Sequence, residues 1–323
     1  MNRHNEILKN EEEANGRIYD MLLSSLGQSI QQYLNSNDII EIMLNPDGKL
    51  WIDTLSNGRQ YTGENMLTHD AKRIIRIVSS NIGTTINEEN PILSAELPVS
   101  GARFQGIIPP IVEKPVFTIR KKAIKVYTLN DYINNGIIKK NEARLIEQAV
   151  KDKYNILIVG GTGSGKTTLA NAILNEISKT KDRLVIIEDT LELQCNAKDF
   201  VTLRTNDNTD ITKLLKASMR LRPDRIIVGE VRGGEALGLL KAWNTGHPGG
   251  LSTVHANGTR AALSRIEQLI QEAVPGVPCS LIADAMNIVL FIERNKNGRC
   301  VKDIAFVKGY DQSKKDYIIE EVN

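Results

Sequence analysis

The chain has few cysteines, little net charge and no long apolar run, and each absence excludes a class of protein. Its 323 residues include three cysteines, Cys195, Cys279 and Cys300, which are far apart and form no C-x-x-C pair. This spacing fits neither a zinc site nor a disulfide framework, so we expect a reducing compartment. With 41 Lys and Arg against 39 Asp and Glu, the net charge of +2 provides no overall field that would attract nucleic acid or an anionic membrane.

The sequence also lacks targeting segments. No window approaches the roughly 18 apolar residues that cross a bilayer. The amino terminus, MNRHNEILKNEEEAN, is polar and acidic, whereas a secretory signal is basic and then apolar. We therefore expect a protein that is cytosolic or peripheral. Its 41% hydrophobic and 25% charged residues are typical of a globular fold, and its length predicts about two domains.

The most informative stretch is NILIVGGTGSGKTTLANAIL at 155–174, an apolar run followed by a glycine-rich turn and a helical pattern. It matches G-x-x-x-x-G-K-[ST], the phosphate-binding loop, with Gly160, Gly165, Lys166 and Thr167 in the defining positions. We predict positive φ at the glycines at 160, 161, 163 and 165, because backbone N–H groups then face phosphate oxygens. A helix that opens at Thr167 would add further N–H donors.

This loop predicts ATP and Mg²⁺ as cofactors. Lys166 would place its charge against the β and γ phosphates, and the hydroxyl of Thr167 would be a ligand of Mg²⁺. The predicted nucleotide-binding residues of the loop are Gly160, Gly161, Thr162, Gly163, Ser164, Gly165, Lys166, Thr167 and Thr168. The alternative is a glycine-rich turn of no function, but a predicted strand before it and a predicted helix after it favour the nucleotide site.

Carboxylates follow one predicted strand of what we expect to be a parallel sheet. Helix 140–152, strand 155–159, helix 167–178, strand 184–188 and strand 225–230 alternate, and ligands of such sheets lie at the carboxyl ends of the strands. Glu188, Asp189 and Glu192 stand at one of these ends. All three are predicted catalytic carboxylates, and Glu188 and Asp189 are predicted to bind the metal together with Thr167. The alternative interpretation is a charged turn.

A second strand end carries Glu230, in RPDRIIVGE at 222–230. A Walker B strand of the usual kind ends in an aspartate and then a glutamate, and Gly229 takes the place of the aspartate here. Support of the metal would therefore shift to Glu188 and Asp189. Glu230 is the predicted general base for the hydrolytic water, and the alternative is a structural ion pair with Arg232.

Two of the four histidines lie close together in TGHPGGLSTVHAN at 245–257. A sensor of the γ-phosphate is the functional interpretation, with His255 favoured over His247. Residues of no special role are the alternative. The spacing does not match a zinc site, because neither cysteine nor carboxylate is near in sequence.

The first part of the chain predicts a small sheet with one or two covering helices. Apolar residues at helical spacing predict an amphipathic helix within 5–35, and NPDG at 45–48 predicts a β-hairpin turn. A further helix is predicted with Thr68 as its N-cap, ending before Gly83. Three strands follow, near 92–98, 102–108 and 116–120. The domains are then an α+β domain at 1–128, a linker at 129–139 and an α/β domain at 140–323.

The motifs GGTGSGKTT, IIEDTLEL, MRLRPDRIIVGEVRGGEA and TGHPGGLSTVHAN together resemble the Walker A, Asp, Walker B and His boxes of the secretion ATPases. This superfamily includes motors of type II secretion, type IV pili and type IV secretion. Two further segments, LLKAWNTGHPGG and RIEQLIQEAVPGVP, resemble those of the TrbB-type conjugative transfer ATPases. The resemblance covers most of the second domain and is weaker over the first.

This resemblance implies a hexameric ATPase motor that energises conjugative DNA transfer or pilus assembly, with inner-membrane components of type IV secretion as partners. It implies a PAS-like first domain, a RecA-like P-loop domain, and nucleotide bound between the two. Arg103 and Arg120 match the arginines that complete such a site. Arg220, Arg222 and Arg232 are candidates to act on the site of a neighbouring subunit.

Other functions compete with this one. A type IV pilus or type II secretion motor shares the boxes, although the sequence lacks the tetracysteine module that type II motors often carry. A RecA-like translocase acting directly on DNA would share the fold, but no basic stripe with interleaved aromatic residues supports it. A scaffold that binds ATP without turnover is a third alternative, and a small-molecule kinase is the least supported.

Overall fold

The computed structural model describes residues 21–97, 100–122, 126–206, 208–296 and 298–322. The chain separates into two compact units, Met1–Ile124 and Lys125–Asn323. The first part of the predicted helix 5–35 lies outside the described residues, and residues 21–35 are helical, as predicted (α1). None of the helices within the described ranges combines the length and apolar content needed to span a bilayer.

The first unit is a six-stranded antiparallel sheet with helices packed against it. Its strands follow the order β3-β2-β1-β6-β5-β4. After α1, its elements are β1 Ile39–Leu44, β2 Lys49–Thr54, β3 Gly58–Asn65, α2 Thr68–Asn81, β4 Ile92–Glu96, β5 Arg103–Ile107 and β6 Val116–Arg120. The predicted hairpin at 45–48 is confirmed, with Gly48 at φ +83°. Strand β3 was not predicted, because its residues are mostly polar and exposed.

Helix α2 packs its apolar face on this sheet. Ile74, Ile75 and Val78 are fully buried in one cluster with residues of β1, β5 and β6. Thr68 as N-cap is wrong: the helix begins at Thr68 itself, Leu67 is the N-cap, and no side chain caps the first turn. Gly83 follows the end of the helix with φ +70°.

The second unit is an eight-stranded sheet in the order β14-β13-β12-β7-β11-β10-β8-β9. Strands β7 to β12 are parallel, and β13 and β14 continue from β12 as antiparallel strands. The strands are β7 Ile156–Val159, β8 Leu184–Glu188, β9 Phe200–Arg204, β10 Arg225–Val228, β11 Leu251–Val254, β12 Ile288–Asn295, β13 Gly298–Asp311 and β14 Asp316–Glu321. The helices are α3 Leu129–Asn134, α4 Lys140–Lys151, α5 Lys166–Ile177, α6 Ile211–Ser218, α7 Glu235–Asn244, α8 Thr259–Gln271 and α9 Cys279–Ala285.

The helices cover both faces of this sheet, because its strands are apolar on both faces. In β7, Leu157 and Val159 belong to one buried cluster, while Ile156 and Ile158 belong to the other. Successive side chains of a strand point to opposite faces, so a continuous apolar run indicates a strand buried on both sides. The predicted alternation of strands and helices is confirmed in this unit.

Residues 129–139, predicted as a linker, contain a helix that packs into the second unit. Thr128 accepts a hydrogen bond from the N–H of Asp131, and the carboxylate of Asp131 accepts one from the N–H of Thr128, so a capping box starts α3. Leu129 and Tyr132 are buried in the core beside α4 and α5. The segment is therefore part of the second unit and does not connect the two.

Candidate active site

The parallel arrangement brings the ends of β7, β8, β10 and β11 to one side of the sheet, which we call the carboxyl edge. The glycine-rich loop follows β7, Glu188 ends β8, Glu230 follows β10 and His255 follows β11. Sequence-distant motifs thus meet because the strands that precede them are neighbours.

The loop between β7 and α5 has the backbone of a phosphate cradle. Gly163 and Gly165 have φ +72° and φ +102°, so the predicted positive φ is correct at these two glycines and wrong at Gly160 and Gly161. Gly160 is required for a different reason, close approach: an added Cβ would lie 2.2 Å from the carbonyl oxygen of Ile292. Around Gly161 and Gly163 an added Cβ meets nothing within 4 Å, which leaves room for a ligand.

Lys166 begins α5, one residue earlier than predicted, and its side chain is buried at the mouth of the loop. Its Nζ donates to the carbonyl oxygens of Gly160 at 3.0 Å and Gly161 at 3.1 Å, and lies 3.2 Å from Nδ1 of His255. These partners carry no full negative charge. A phosphate anion entering the cradle would be a stronger partner for the ammonium than these neutral groups are.

Glu188 is the most deeply buried carboxylate of the carboxyl edge, at 3% exposure. Its Oε1 accepts hydrogen bonds from the N–H groups of Glu192 at 2.9 Å and Leu193 at 3.0 Å. Its Oε2 is buried and has no hydrogen-bond partner within the described part of the chain. Burial raises the pKa of Glu188 to about 7, against the lowering effect of the two hydrogen bonds, and the charge of Glu192 raises it further.

The contact between Glu188 and Gly229 explains the glycine in the Walker B motif. A Cβ added to Gly229 would lie 3.0 Å from Cγ and 3.2 Å from Oε1 of Glu188. The carboxylate from β8 therefore occupies the space that an aspartate at 229 would need. Beside it, the hydroxyl of Thr167 donates to Oε2 of Glu192 at 3.2 Å.

Glu230 lies in a network of charges at the same edge. Its Oε1 is 2.9 Å from Nε2 of His255, and its Oε2 accepts from Nε of Arg232 at 2.6 Å. Arg232 also bonds Asp189, with Nη1 2.5 Å from Oδ2. Burial and the nearby charge of Lys166 lower the pKa of His255, so a neutral imidazole that can accept or donate is favoured. The alternative ion pair of Glu230 with Arg232 is thus present, together with the predicted neighbours of Glu230.

Three predicted residues lie at the opposite side of the sheet, where β10 and β11 begin. His247 precedes β11, and its Nδ1 is 2.9 Å from the carbonyl oxygen of Pro223, which precedes β10. The loop lies at the other ends of these strands, so the interpretation of His247 as a sensor of the γ-phosphate bound in its own chain is wrong. Arg220 and Arg222 also precede β10.

Arg103 and Arg120 belong to the first unit and lie next to each other. They are paired in the register of β5 and β6, so their side chains project from the same face of the sheet. Arg120 is exposed and Arg103 half-buried.

Two residues near the loop were not predicted. Arg299 of β13 passes over the loop, and a Cβ added to Gly165 would lie 3.0 Å from its Cδ. Nothing local in the sequence indicates this contact, because it depends on the pairing of β12 with β7. Asn171 is buried in α5 and bonds the backbone of residues 192 and 194. The available signal was a single amide among apolar residues, LANAIL.

These donors and acceptors fit a magnesium nucleotide. The cradle of N–H groups, the ammonium of Lys166 and the start of α5 suit an anion. A hard cation would find oxygen ligands in the hydroxyl of Thr167 and the carboxylates of Glu188 and Glu192. One of these oxygens, Oε2 of Glu188, is buried and has no partner within the described part of the chain. Within the described ranges, no three His, Cys, Asp or Glu side chains form a metal site on their own. Mg²⁺ commonly takes one or two protein carboxylates, with water and phosphate as its other ligands.

The fold and the loop define a P-loop nucleoside triphosphatase with a parallel α/β sheet. Residues 27–315 match the model of a protein family described as type II/IV secretion system protein. The chain belongs to this family, and the predicted kinship with the secretion ATPases is confirmed.

The chain is 46% identical to the probable conjugal transfer protein TrbB of Sinorhizobium fredii, over 94% of this chain and 95% of that protein. It is 47% identical to the conjugal transfer protein TrbB of Rhizobium radiobacter, over 91% of both. Solved structures of the ATPase DotB of Yersinia pseudotuberculosis and of the pilus retraction motor PilT share its fold. The DotB structure has a TM-score of 0.63 and 16% identity, and the match covers 89% of this chain and 79% of DotB. The PilT structure has a TM-score of 0.61 and 15% identity, and the match covers 91% of this chain and 82% of PilT.

Proposed function

We propose that this protein is the ATPase motor that energises conjugative DNA transfer through a type IV secretion apparatus. The observation that carries the proposal is the meeting of four sequence motifs at the carboxyl edge, beside a phosphate cradle. Relatives named conjugal transfer proteins, matched over nearly their whole length, support conjugation over pilus retraction or type II secretion.

In this proposal Lys166 and the loop bind the β and γ phosphates of ATP. Thr167, Glu188, Asp189 and Glu192 would hold Mg²⁺, which would neutralise phosphate charge. Glu230 accepts a proton from the attacking water. Before it can do so, its carboxylate must lose part of its contact with Arg232, because a base that is fully ion-paired is a weaker proton acceptor. His255, between Lys166 and Glu230, responds to the γ-phosphate.

The larger assembly is also a proposal. We propose a PAS-like first domain, a RecA-like motor domain and a homohexameric ring that associates with inner-membrane components of the secretion apparatus from the cytoplasmic side. Arg103 and Arg120 are proposed nucleotide ligands, because two adjacent arginines can neutralise a phosphate. Arg220 and Arg222 are candidates to act on a neighbouring subunit. The resemblance of the boxes to those of secretion motors supports these assignments.

Phosphate release by Glu230→Gln tests the proposal. The substitution keeps the shape and removes the proton acceptor, so steady-state turnover should fall by a factor of about 10² to 10⁴ while ATP still binds. Glu320→Gln, which changes an exposed carboxylate of β14 that pairs with Lys308, is the matched control and should retain turnover. A wild-type protein that binds ATP without releasing phosphate would support the scaffold alternative.

Two further measurements separate the remaining alternatives. Turnover that DNA stimulates with steep dependence on salt would support a translocase acting directly on DNA. Molecular mass in solution, with and without ATP, tests the ring: a mass that stays that of one chain under both conditions would contradict it.

A further inference from the structure

The loop segment at residues 192–194 is held in place by two buried side chains, and only one of them belongs to the proposed site. Asn171, on α5, is 2% exposed. Its Nδ2 donates to the carbonyl oxygen of Glu192 at 3.1 Å, and its Oδ1 accepts from the N–H of Gln194 at 2.8 Å. Both ends of one amide are thus used on the same short segment.

Glu188 holds this segment through other groups. Its Oε1 accepts from the N–H groups of Glu192 and Leu193. Between them, the two side chains bind three successive N–H groups and one carbonyl oxygen of a segment without regular secondary structure. Buried polar groups that bind so many backbone atoms fix a loop in one conformation, because each lost bond would leave a group unsatisfied.

The position of Asn171 on the helix links this segment to Thr167. The two residues are four apart in α5, so they lie on the same face, one turn from each other. Thr167 donates to the carboxylate of Glu192, and Asn171 binds the backbone of the same residue. The helix that presents the hydroxyl therefore also holds the backbone of the residue whose carboxylate accepts from that hydroxyl.

We propose that Asn171 is a positioning residue that fixes Glu192 relative to Thr167 and so sets the affinity of the site for the divalent cation of Mg·ATP. The inference rests on the proposed function, in which the hydroxyl of Thr167 and the carboxylate of Glu192 are cation ligands. A residue that orients a metal ligand from behind commonly contributes a factor of 10 to 100 to metal affinity.

Asn171→Leu tests the proposal, because leucine has a similar volume and no hydrogen-bonding group. Without nucleotide or metal, we expect faster hydrogen exchange of peptides covering residues 190–196, measured by mass spectrometry. In equilibrium titrations of a fluorescent ATP analogue, the half-saturating Mg²⁺ concentration should rise about tenfold. The affinity for the analogue in EDTA should stay that of the wild type. An unchanged Mg²⁺ requirement would overturn the proposal.

Asn171→Ala is the second variant, in case leucine prevents folding. Alanine favours the helix and removes both bonds to the segment without adding a charge, so the Mg²⁺ requirement should again rise. Ser218→Ala is the matched control: its buried hydroxyl, at the end of α6, donates to the carbonyl oxygen of Leu215, so its loss should change neither measurement.

Glu192→Gln separates failure of this inference from failure of the proposed function. If Glu192→Gln leaves the Mg²⁺ requirement unchanged, Glu192 is not a cation ligand and the proposed site itself is wrong. If Glu192→Gln raises the requirement and both Asn171 variants do not, the site stands and the positioning role of Asn171 is refuted.

Discussion

Polar side chains occur at both ends of the parallel strands in the second unit, but the two ends differ in how many of these side-chain atoms have a hydrogen-bond partner. Where β10 begins, Arg225 is 1% exposed and each of its nitrogens has a partner: Asp182 at 2.7 Å, the carbonyl of Gly249 at 3.2 Å and that of Val150 at 2.9 Å. Where β8 ends, Glu188 is also buried, yet one of its oxygens has no partner in the described ranges.

The difference separates structural from functional polar groups. A buried group with all its hydrogen bonds made stabilises the fold and has no capacity left for a ligand. A buried group with an unused acceptor costs stability unless something else binds it. We therefore infer that substitutions where the strands begin will reduce stability, whereas substitutions at the carboxyl edge will reduce turnover and spare stability.

The largest expected effect is on stability. Arg225→Met removes the buried guanidinium and leaves Asp182 with Lys153 as its ion-pair partner. The free energy of unfolding should fall by about 3–5 kcal/mol, because the carbonyl oxygens of Gly249 and Val150 lose their charged, buried donor. Urea denaturation measures it. Arg260→Ala, which breaks an exposed pair with Asp316, is the control and should cost less than about 1 kcal/mol. Similar losses for both variants would contradict the comparison.

At the carboxyl edge, Lys166→Ala should affect turnover and not the fold. Removing the ammonium takes away a charge placed for the phosphates, and the ATPase rate should fall by a factor of about 10² to 10³ or more. The bonds that the ammonium donates to two backbone carbonyls are replaceable by water. ATP hydrolysis that survives at the wild-type rate would show that the cradle is not the active site, and a large drop in melting temperature would contradict the division between the two ends.

Glu188→Gln should stabilise the protein at high pH. Because the pKa of Glu188 is about 7 in the fold against 4.5 when unperturbed, the native state retains a proton that the unfolded state loses, and stability falls as pH rises through that window. Glutamine carries no charge, so relative to wild type it should gain up to about 3 kcal/mol at pH 8.5 and little at pH 4.5. Urea denaturation without metal or nucleotide measures the difference, and a gain independent of pH would contradict the assigned cause.

A pair of Gly→Ala variants makes the same chemical change where the parallel strands begin and at the carboxyl edge. An added Cβ at Gly250 would lie 1.9 Å from Nε1 of Trp243 and 2.6 Å from the carbonyl oxygen of Ile226, so Gly250→Ala should cost about 1–3 kcal/mol. The Cβ added by Gly161→Ala would have no atom within 4 Å, so this variant should keep the melting temperature of the wild type while ATP binding weakens. The reverse order of melting temperatures would refute the interpretation.

The sequence predicted the parts of this molecule that depend on local pattern or on a general rule of topology. The glycine loop follows from one motif, and the meeting of Glu188, Glu230 and His255 follows from the rule on parallel strands. His247 shows the limit of that reasoning, because it is near His255 in sequence and at the other end of β11. The short strand β11, Leu251–Val254, lies between the two histidines and separates them.

Other features depend on short or distant signals. Helix α3 has six residues, too few for a visible apolar period, and its capping box of Thr128 and Asp131 is the one local signal of its start. Strand β3 is too polar to be recognised. Arg299 reaches the loop only because β13 follows the hairpin from β12, so no local pattern could have indicated it.

The close approach of Glu188 to Gly229 links two positions that are distant in the chain. Because the space for a side chain at 229 is filled from β8, Gly229→Asp alone should crowd the site, whereas joining it to a small residue at 188 would move the carboxylate from one strand to its neighbour. An engineered exchange of this kind would convert the acidic arrangement of a secretion motor into the more widespread Walker B form, and family members should vary at these two positions together.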